Sequence, residues 1–249
     1  TKGFHVEFIN SREKNRFQEG LKAFKEETEI VMRLKHKNII EIINFFEANG
    51  TAYLVMPYEY GCTLSKFISI EKNITEQEIL NIIEDIFSAV QIFHENNIIH
   101  LDLKPGNIWI RPNKEALILD FGTARIINDP IKSKYPPMHT PGYAAPEQHK
   151  DFFQPNRIGV WTDYYGLGAT LYALIEKRSP PISSQLLAQN TSISILNERR
   201  GQFSTQTLQI IEELMQTNWN KRKNINLNEI ILRIKKIKPI NQVPLATVG

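Results

Sequence analysis

The chain has one cysteine, Cys62, in 249 residues, so no disulfide can form within it and a reducing, cytoplasmic setting is expected. Cys62 itself is expected to be a small buried hydrophobe. No apolar run approaches the roughly 20 residues with which a helix crosses a bilayer, so no membrane-spanning helix is expected in this sequence. The net charge of +3 is too slight to draw a nucleic acid or an anionic surface. His94, His139 and His149 lack metal-ligand spacing and are expected at the surface or as caps. Thr1-Lys2-Gly3 carries neither a methionine nor a signal-peptide pattern, so further domains or a preceding segment are expected in a longer gene product. What is present is enough hydrophobic residue, 41%, to bury the core of one large domain or of two lobes.

The patterning changes along the chain. Residues 15 to 35 place Phe17, Leu21, Phe24, Ile30, Val31 and Leu34 at near-helical spacing, which predicts an amphipathic helix. Two apolar runs, Ile39 to Phe46 and Ala52 to Met56, flank Asn49-Gly50 and predict an antiparallel hairpin. A hinge-like stretch, 57 to 61, follows. From Thr75 to Asn96 a Thr-x-x-Glu start leads into Ile79, Ile82, Ile83, Ile86, Val90 and Phe93 on one helical face. Three short strand-like runs, IIH, NIWI and ALILD, come next, then a long irregular stretch from 126 to 160. Helical spacing returns over Trp161 to Glu176, Thr205 to Thr217 and Leu227 to Ile237. The pattern reads as α+β: an incomplete small lobe over 1–56, a hinge at 57–61, a larger helical lobe over 62–238, and a tail or linker from 239.

The chemistry concentrates in HLDLKPGN, residues 100 to 107, and in Leu119-Asp120-Phe121-Gly122. Asn107 and Asp120 offer oxygen ligands on neighbouring loops, which suits Mg²⁺ sharing its shell with water and phosphate. Asp102 can accept a proton from a hydroxyl, and Lys104 sets a point charge against a phosphate gaining negative charge. These are the groups that phosphoryl transfer requires.

The motifs resemble those of the protein-kinase family. HLDLKPGN is similar to its catalytic loop, Asp120-Phe121-Gly122 to its metal-binding DFG, and Ala145-Pro146-Glu147 to the APE that closes its activation segment. Thr140-Pro141-Gly142-Tyr143 resembles the substrate-facing loop of the serine/threonine branch. The likeness covers roughly residues 15 to 237, and the small lobe resembles bacterial kinases of this class. It implies a two-lobed fold with a truncated small β lobe and a mainly helical large lobe. It implies ATP and Mg²⁺ as cofactors and a protein substrate bearing Ser or Thr. By the same resemblance Asp102 is the base, Lys104 the phosphate lysine, and Asn107 and Asp120 the metal ligands. Glu27 would pair with the nucleotide lysine, and Met56 would be the gatekeeper. The Pro57 carbonyl and Glu59 N–H would meet the adenine edge, with Trp109 as its floor. Thr140 would face substrate and His100 would be structural. Asp163 would hold the catalytic loop, and Glu147 and Arg222 would form a buried ion pair.

Two departures stand out. Before residue 50 the only glycines are Gly3 and Gly20, so the family's Gly-rich loop is absent, and the nucleotide lysine is missing unless Lys2 supplies it. Gly166-Leu167-Gly168 lies in a helical pattern and is a decoy. Leu101 stands where most of the family carries an arginine that docks an activation-loop phosphate, so phosphorylation at Ser133 is not expected to be required through that contact. Three functions remain open on these residues: a protein kinase, a pseudokinase that keeps the fold as an interaction module, and a small-molecule phosphotransferase. Lys104-Pro105 and TPGYAAPE disfavour the third.

Overall fold

The computed structural model describes residues 17, 18, 20–22, 24, 25, 28, 29, 31–127, 136, 137, 139–195 and 200–239. Glu27, Lys2 and Ser133 lie outside them. The described residues from 17 to 31 are helical (α1). Phe24 of α1 meets Phe45 with ring centroids 5.9 Å apart, which seats the helix on the following hairpin. That hairpin joins β1 (Asn44–Ala48) to β2 (Thr51–Val55), with Ala48 opposite Thr51 and Asn44 opposite Val55. Asn49 and Gly50 turn it with φ of 53° and 73°, the twist that matches two antiparallel strands.

The apolar run beginning at Ile39 does not enter the hairpin until Asn44. Ile39, Ile40 and Ile42 are buried, and the backbone of 38–40 bonds instead to Ile118: Ile40 N–H donates to the Ile118 carbonyl at 3.0 Å and Ile118 N–H to the Asn38 carbonyl at 2.9 Å. Those residues stitch the small lobe to the large one, and a parallel partner in another lobe leaves no periodicity to read in advance.

In the large lobe β3 (Cys62–Thr63), β5 (Ile108–Ile110) and β6 (Ala116–Ile118) form one antiparallel sheet, and β4 (Ile98–Ile99) pairs with β7 (Arg125–Ile126). Thr75 caps α3 (Glu76–Glu95) with the reciprocal Thr75–Glu78 box. Its apolar stripe packs against β6, α4 (Val160–Glu176) and the C-terminal helix α8 (Leu227–Lys236). Every residue of α4 from Thr162 to Glu176 is buried, as befits a helix hydrophobic all round and placed at the centre of a lobe. Gly166 and Gly168 belong to this helix.

Three short helices, α2 (Leu64–Ile70), α5 (Ser183–Ala188) and α7 (Trp219–Lys223), escape the periodicity because two turns or fewer give no repeat; α6 (Thr205–Leu214) precedes the last of them. The described parts of 126–159 are irregular apart from β7 and single turns at Pro146–Gln148 and Pro155–Arg157, and Val160 already opens α4. Among the described residues no helix is long and apolar enough to cross a membrane.

Candidate active site

The loop from His100 to Asn107 has too few residues to fix its own shape, and α4 holds it. Asp163, in the first turn of α4 and buried, accepts the His100 N–H at 2.9 Å and the Leu101 N–H at 2.8 Å. A carboxylate taking backbone N–H bonds at the positive end of a helix is well stabilised there. His94 Nε2 lies 2.8 Å from the same carboxylate, with only 10% of its side chain exposed. His94 is therefore neither a surface nor a capping residue. It stands four positions after Val90 on the buried face of α3, a spacing that could have placed it.

His100 is fully buried between Phe93 and Phe121, with ring centroids 5.7 and 6.2 Å away. Burial pushes its pKa down, which keeps the ring neutral. The Thr123 hydroxyl donates to the His100 carbonyl at 2.9 Å, tying the loop to the residues after Gly122.

Four side chains converge below this loop. Lys104 Nζ reaches Asp102 Oδ2 at 2.6 Å and Thr140 Oγ1 at 2.7 Å. The Thr140 hydroxyl donates to Asp102 Oδ1 at 2.8 Å. Asn107 Nδ2 donates to the Asp102 carbonyl and to Asp102 Oδ2, both at 2.9 Å. The amide nitrogen of Asn107 is thus occupied, and its carbonyl oxygen is the atom left for a cation.

Asp120 is brought to the same place by strand register. Ile108 pairs with Ile118 across β5 and β6, and the Leu119 N–H donates to the Asn107 carbonyl at 3.1 Å, so Asp120 leaves the hairpin beside Asn107. Asp120 is exposed, with Oδ1 accepting the Gly122 N–H at 2.9 Å. Phe121 turns the other way, buried, its ring 5.5 Å from that of Phe93.

The connector from Pro57 to Gly61 lies above β5. Trp109, half-buried on β5, donates its indole N–H to the Tyr60 carbonyl at 3.2 Å. Gly61 has φ +137°, and a Cβ there would sit 2.0 Å from the Ile110 carbonyl oxygen, so only glycine lets the connector approach the strand so closely. Arg111 grips the Glu59 carboxylate with bonds of 2.9 and 2.7 Å, and this partner holds the Glu59 carboxyl below its usual range. Nothing local in the sequence points to this pair, because its two members lie 52 residues apart. A cavity of about 320 Å³ opens between the lobes, walled by Phe24 and Thr28 of α1, Met56, Asp120 and Phe121 among others. Pro57, Glu59 and Trp109 do not line it.

Behind the loop, Arg222 of α7 is wholly buried and paired with Glu147. Its Nε donates to the Trp161 carbonyl at 3.0 Å, and the Thr162 hydroxyl donates to Glu147 Oε1 at 3.1 Å.

A family profile described as the protein kinase domain matches residues 4–231, nearly the whole chain. The chain belongs to the protein kinase family. This kinase is 28% identical over 212 residues to a probable serine/threonine-protein kinase, zyg-1, of Caenorhabditis briggsae, covering 84% of this chain and 28% of that protein. It is 32% identical over 163 residues to serine/threonine-protein kinase PrkC of Bacillus subtilis (65% of this chain, 24% of that protein). It is 30% identical over 163 residues to PknB of Mycobacterium leprae (63% and 26%). The chain is of the eukaryotic-like serine/threonine type and spans about a quarter of the length of these relatives.

Kinases of this family generally use ATP and Mg²⁺, and the donor set of this kinase fits such an ion. Among the described residues no three His, Cys, Asp or Glu side chains converge as ligands. Asn107 and Asp120 instead offer two oxygen groups at one end of a hairpin, a set that Mg²⁺ completes with water and phosphate oxygens.

Proposed function

We propose that this kinase transfers the γ-phosphate of ATP to serine or threonine hydroxyls of a protein. The observation that carries the reading is the triangle of Thr140, Asp102 and Lys104. A hydroxyl already donates to Asp102 Oδ1 while the Lys104 ammonium donates to that hydroxyl oxygen and to Asp102 Oδ2, which is the arrangement a reacting hydroxyl needs. In the reaction the acceptor oxygen forms a bond to the γ-phosphorus as the bond from that phosphorus to the β–γ bridging oxygen breaks. Asp102 takes the hydroxyl proton, and Lys104 offsets charge gathering on the phosphoryl oxygens. Asn107 and Asp120 would hold Mg²⁺, which screens the phosphate charge when bound. Residues 1–56 would act as the small lobe, 57–61 as the hinge with Met56 as gatekeeper, and 62–238 as the large lobe.

The packing of the 140–148 segment against the catalytic loop supports a protein rather than a small-molecule acceptor. The alternative is a pseudokinase that keeps the fold as an interaction module, and the intact set of Asp102, Lys104, Asn107 and Asp120 argues against it. Incubation of the full-length protein with labelled ATP and a generic protein substrate decides between them. Labelled phosphoserine or phosphothreonine is expected, reduced by about 10²–10⁴-fold in Asp102→Asn. Equal labelling by both proteins would remove Asp102 from its role, and no labelling with retained nucleotide binding would favour the pseudokinase.

A further inference from the structure

Gln148 follows Ala145-Pro146-Glu147 and is buried, with 2% of its surface exposed. Its side chain acts at both ends. Oε1 accepts the Ala145 N–H at 2.9 Å, and Nε2 donates to the Leu101 carbonyl at 2.7 Å. The second bond joins residues 47 positions apart, from the segment that follows Thr140 to the peptide that precedes Asp102.

That peptide is the strained part of the loop. Leu101 has φ +68°, a left-handed conformation that costs a non-glycine residue about 1–3 kcal/mol and persists only where its surroundings impose it. Asp163 holds the peptide before Leu101 through its N–H, and Gln148 holds the peptide after it through its carbonyl. The next N–H, of Asp102, lies 3.4 Å from His100 Nδ1. Without Gln148 the Leu101 carbonyl would be buried with its hydrogen bond unmade, and the peptide would be free to relax toward ordinary φ. Such a flip rotates the Cα–Cβ bond of Asp102. Leu101 is itself apolar and 3% exposed, so it offers no cation at this joint for a phosphate to pair with.

We propose that Gln148 is a positioning residue: its neutral amide locks the left-handed Leu101–Asp102 peptide to the segment bearing Thr140, so that loop and segment take their working shape together. It does not touch the reacting atoms. The kinetic consequence rests on Asp102 being the base; the structural one does not.

Two variants of the full-length protein test it. Gln148→Met keeps the length and loses both bonds. Gln148→Glu keeps the acceptor for Ala145 but, when ionised, loses the donor for Leu101. Amide hydrogen exchange at Leu101 and Asp102 is expected to quicken by about tenfold in both variants, one hydrogen bond's worth. At Ala145 it should quicken only in the methionine variant. In steady-state assays kcat should fall by about tenfold or more with the KM for ATP nearly unchanged. A buried carboxyl beside a carbonyl regains a donor on protonation, so the glutamate variant should recover toward wild type as pH falls, and the methionine variant should not. That recovery separates positioning from a loss of fold. Unchanged exchange at Leu101 and Asp102 in both variants would overturn the proposal. Equal rates for wild type and Asp102→Asn would instead dismiss Asp102 as the base, with exchange still deciding the part played by Gln148.

Discussion

The two lobes bury their apolar residues very differently. In the large lobe α4 has no exposed residue from Thr162 onward, and α3 buries a full stripe. In the small lobe the hairpin is open. Phe46 and Tyr53 stack on one another 5.2 Å apart on its outer face and remain 44% and 38% exposed, while Ile43 is 57% exposed. The difference shows where rigidity is made. The groups that orient Asp102 (Asp163, Asn107 and Thr140) all belong to the well-packed lobe. Among the described residues the small lobe contributes a cavity wall, while the side chains that bond to the loop come from the large one.

By that contrast the largest penalty lies far from the hairpin. Glu147→Ala strands the buried Arg222 guanidinium and should cost about 3–5 kcal/mol in chemical denaturation. A loss below about 1 kcal/mol would mean that water reaches Arg222 and that the lobe is looser than described.

Acid comes next. Burial holds His100 below its ordinary value near 6.5, so the unfolded chain binds the proton more readily than the folded one. The stability gained by keeping His100 neutral is fully present above about pH 6.5 and is lost as pH falls from there through the depressed value. His36 and His149 are shifted the same way, by burial first. Urea midpoints at about pH 7.5 and 5.5 should therefore differ, and His100→Asn should flatten the slope. An unchanged slope would assign the acid sensitivity to the other two.

The smallest effect belongs to the hairpin. Phe46→Ala should cost about 1 kcal/mol or less, since the ring is already partly in water and loses mainly its stacking on Tyr53. A loss of several kcal/mol would place a covering partner on that face.

What could be read from the sequence follows the same divide. α3, α4 and α8 were legible because long amphipathic or all-apolar spacing is imposed by burial, and Thr75-x-x-Glu78 marked a start that local chemistry dictates. Asp102, Lys104, Asn107 and Asp120 stand out together through their resemblance to kinase motifs, and the structure puts the first three in hydrogen-bond contact with Asp120 following at the end of the paired strand. Gln148 and Arg111 do not stand out, since their partners, Leu101 and Glu59, lie 47 and 52 residues away and no periodicity announces them. His94 has no metal-ligand spacing to mark it, and its place on the α3 face, four residues after Val90, is what sets it against Asp163. The apolar run from Ile39 reads as strand before β1 begins at Asn44, because Ile39 and Ile40 are apolar for another reason, their union with Ile118.

Arg111 has one more consequence. Its guanidinium holds the Glu59 carboxylate and the Lys37 carbonyl, the latter at 3.2 Å, while its own backbone continues β5. Three chain segments, two of them crossing between the lobes, are thereby pinned to one planar cation. Removing or masking that one cation would therefore release the Glu59 side chain and the Lys37 carbonyl together, so a single side chain keeps two distant stretches of backbone in step with the end of β5.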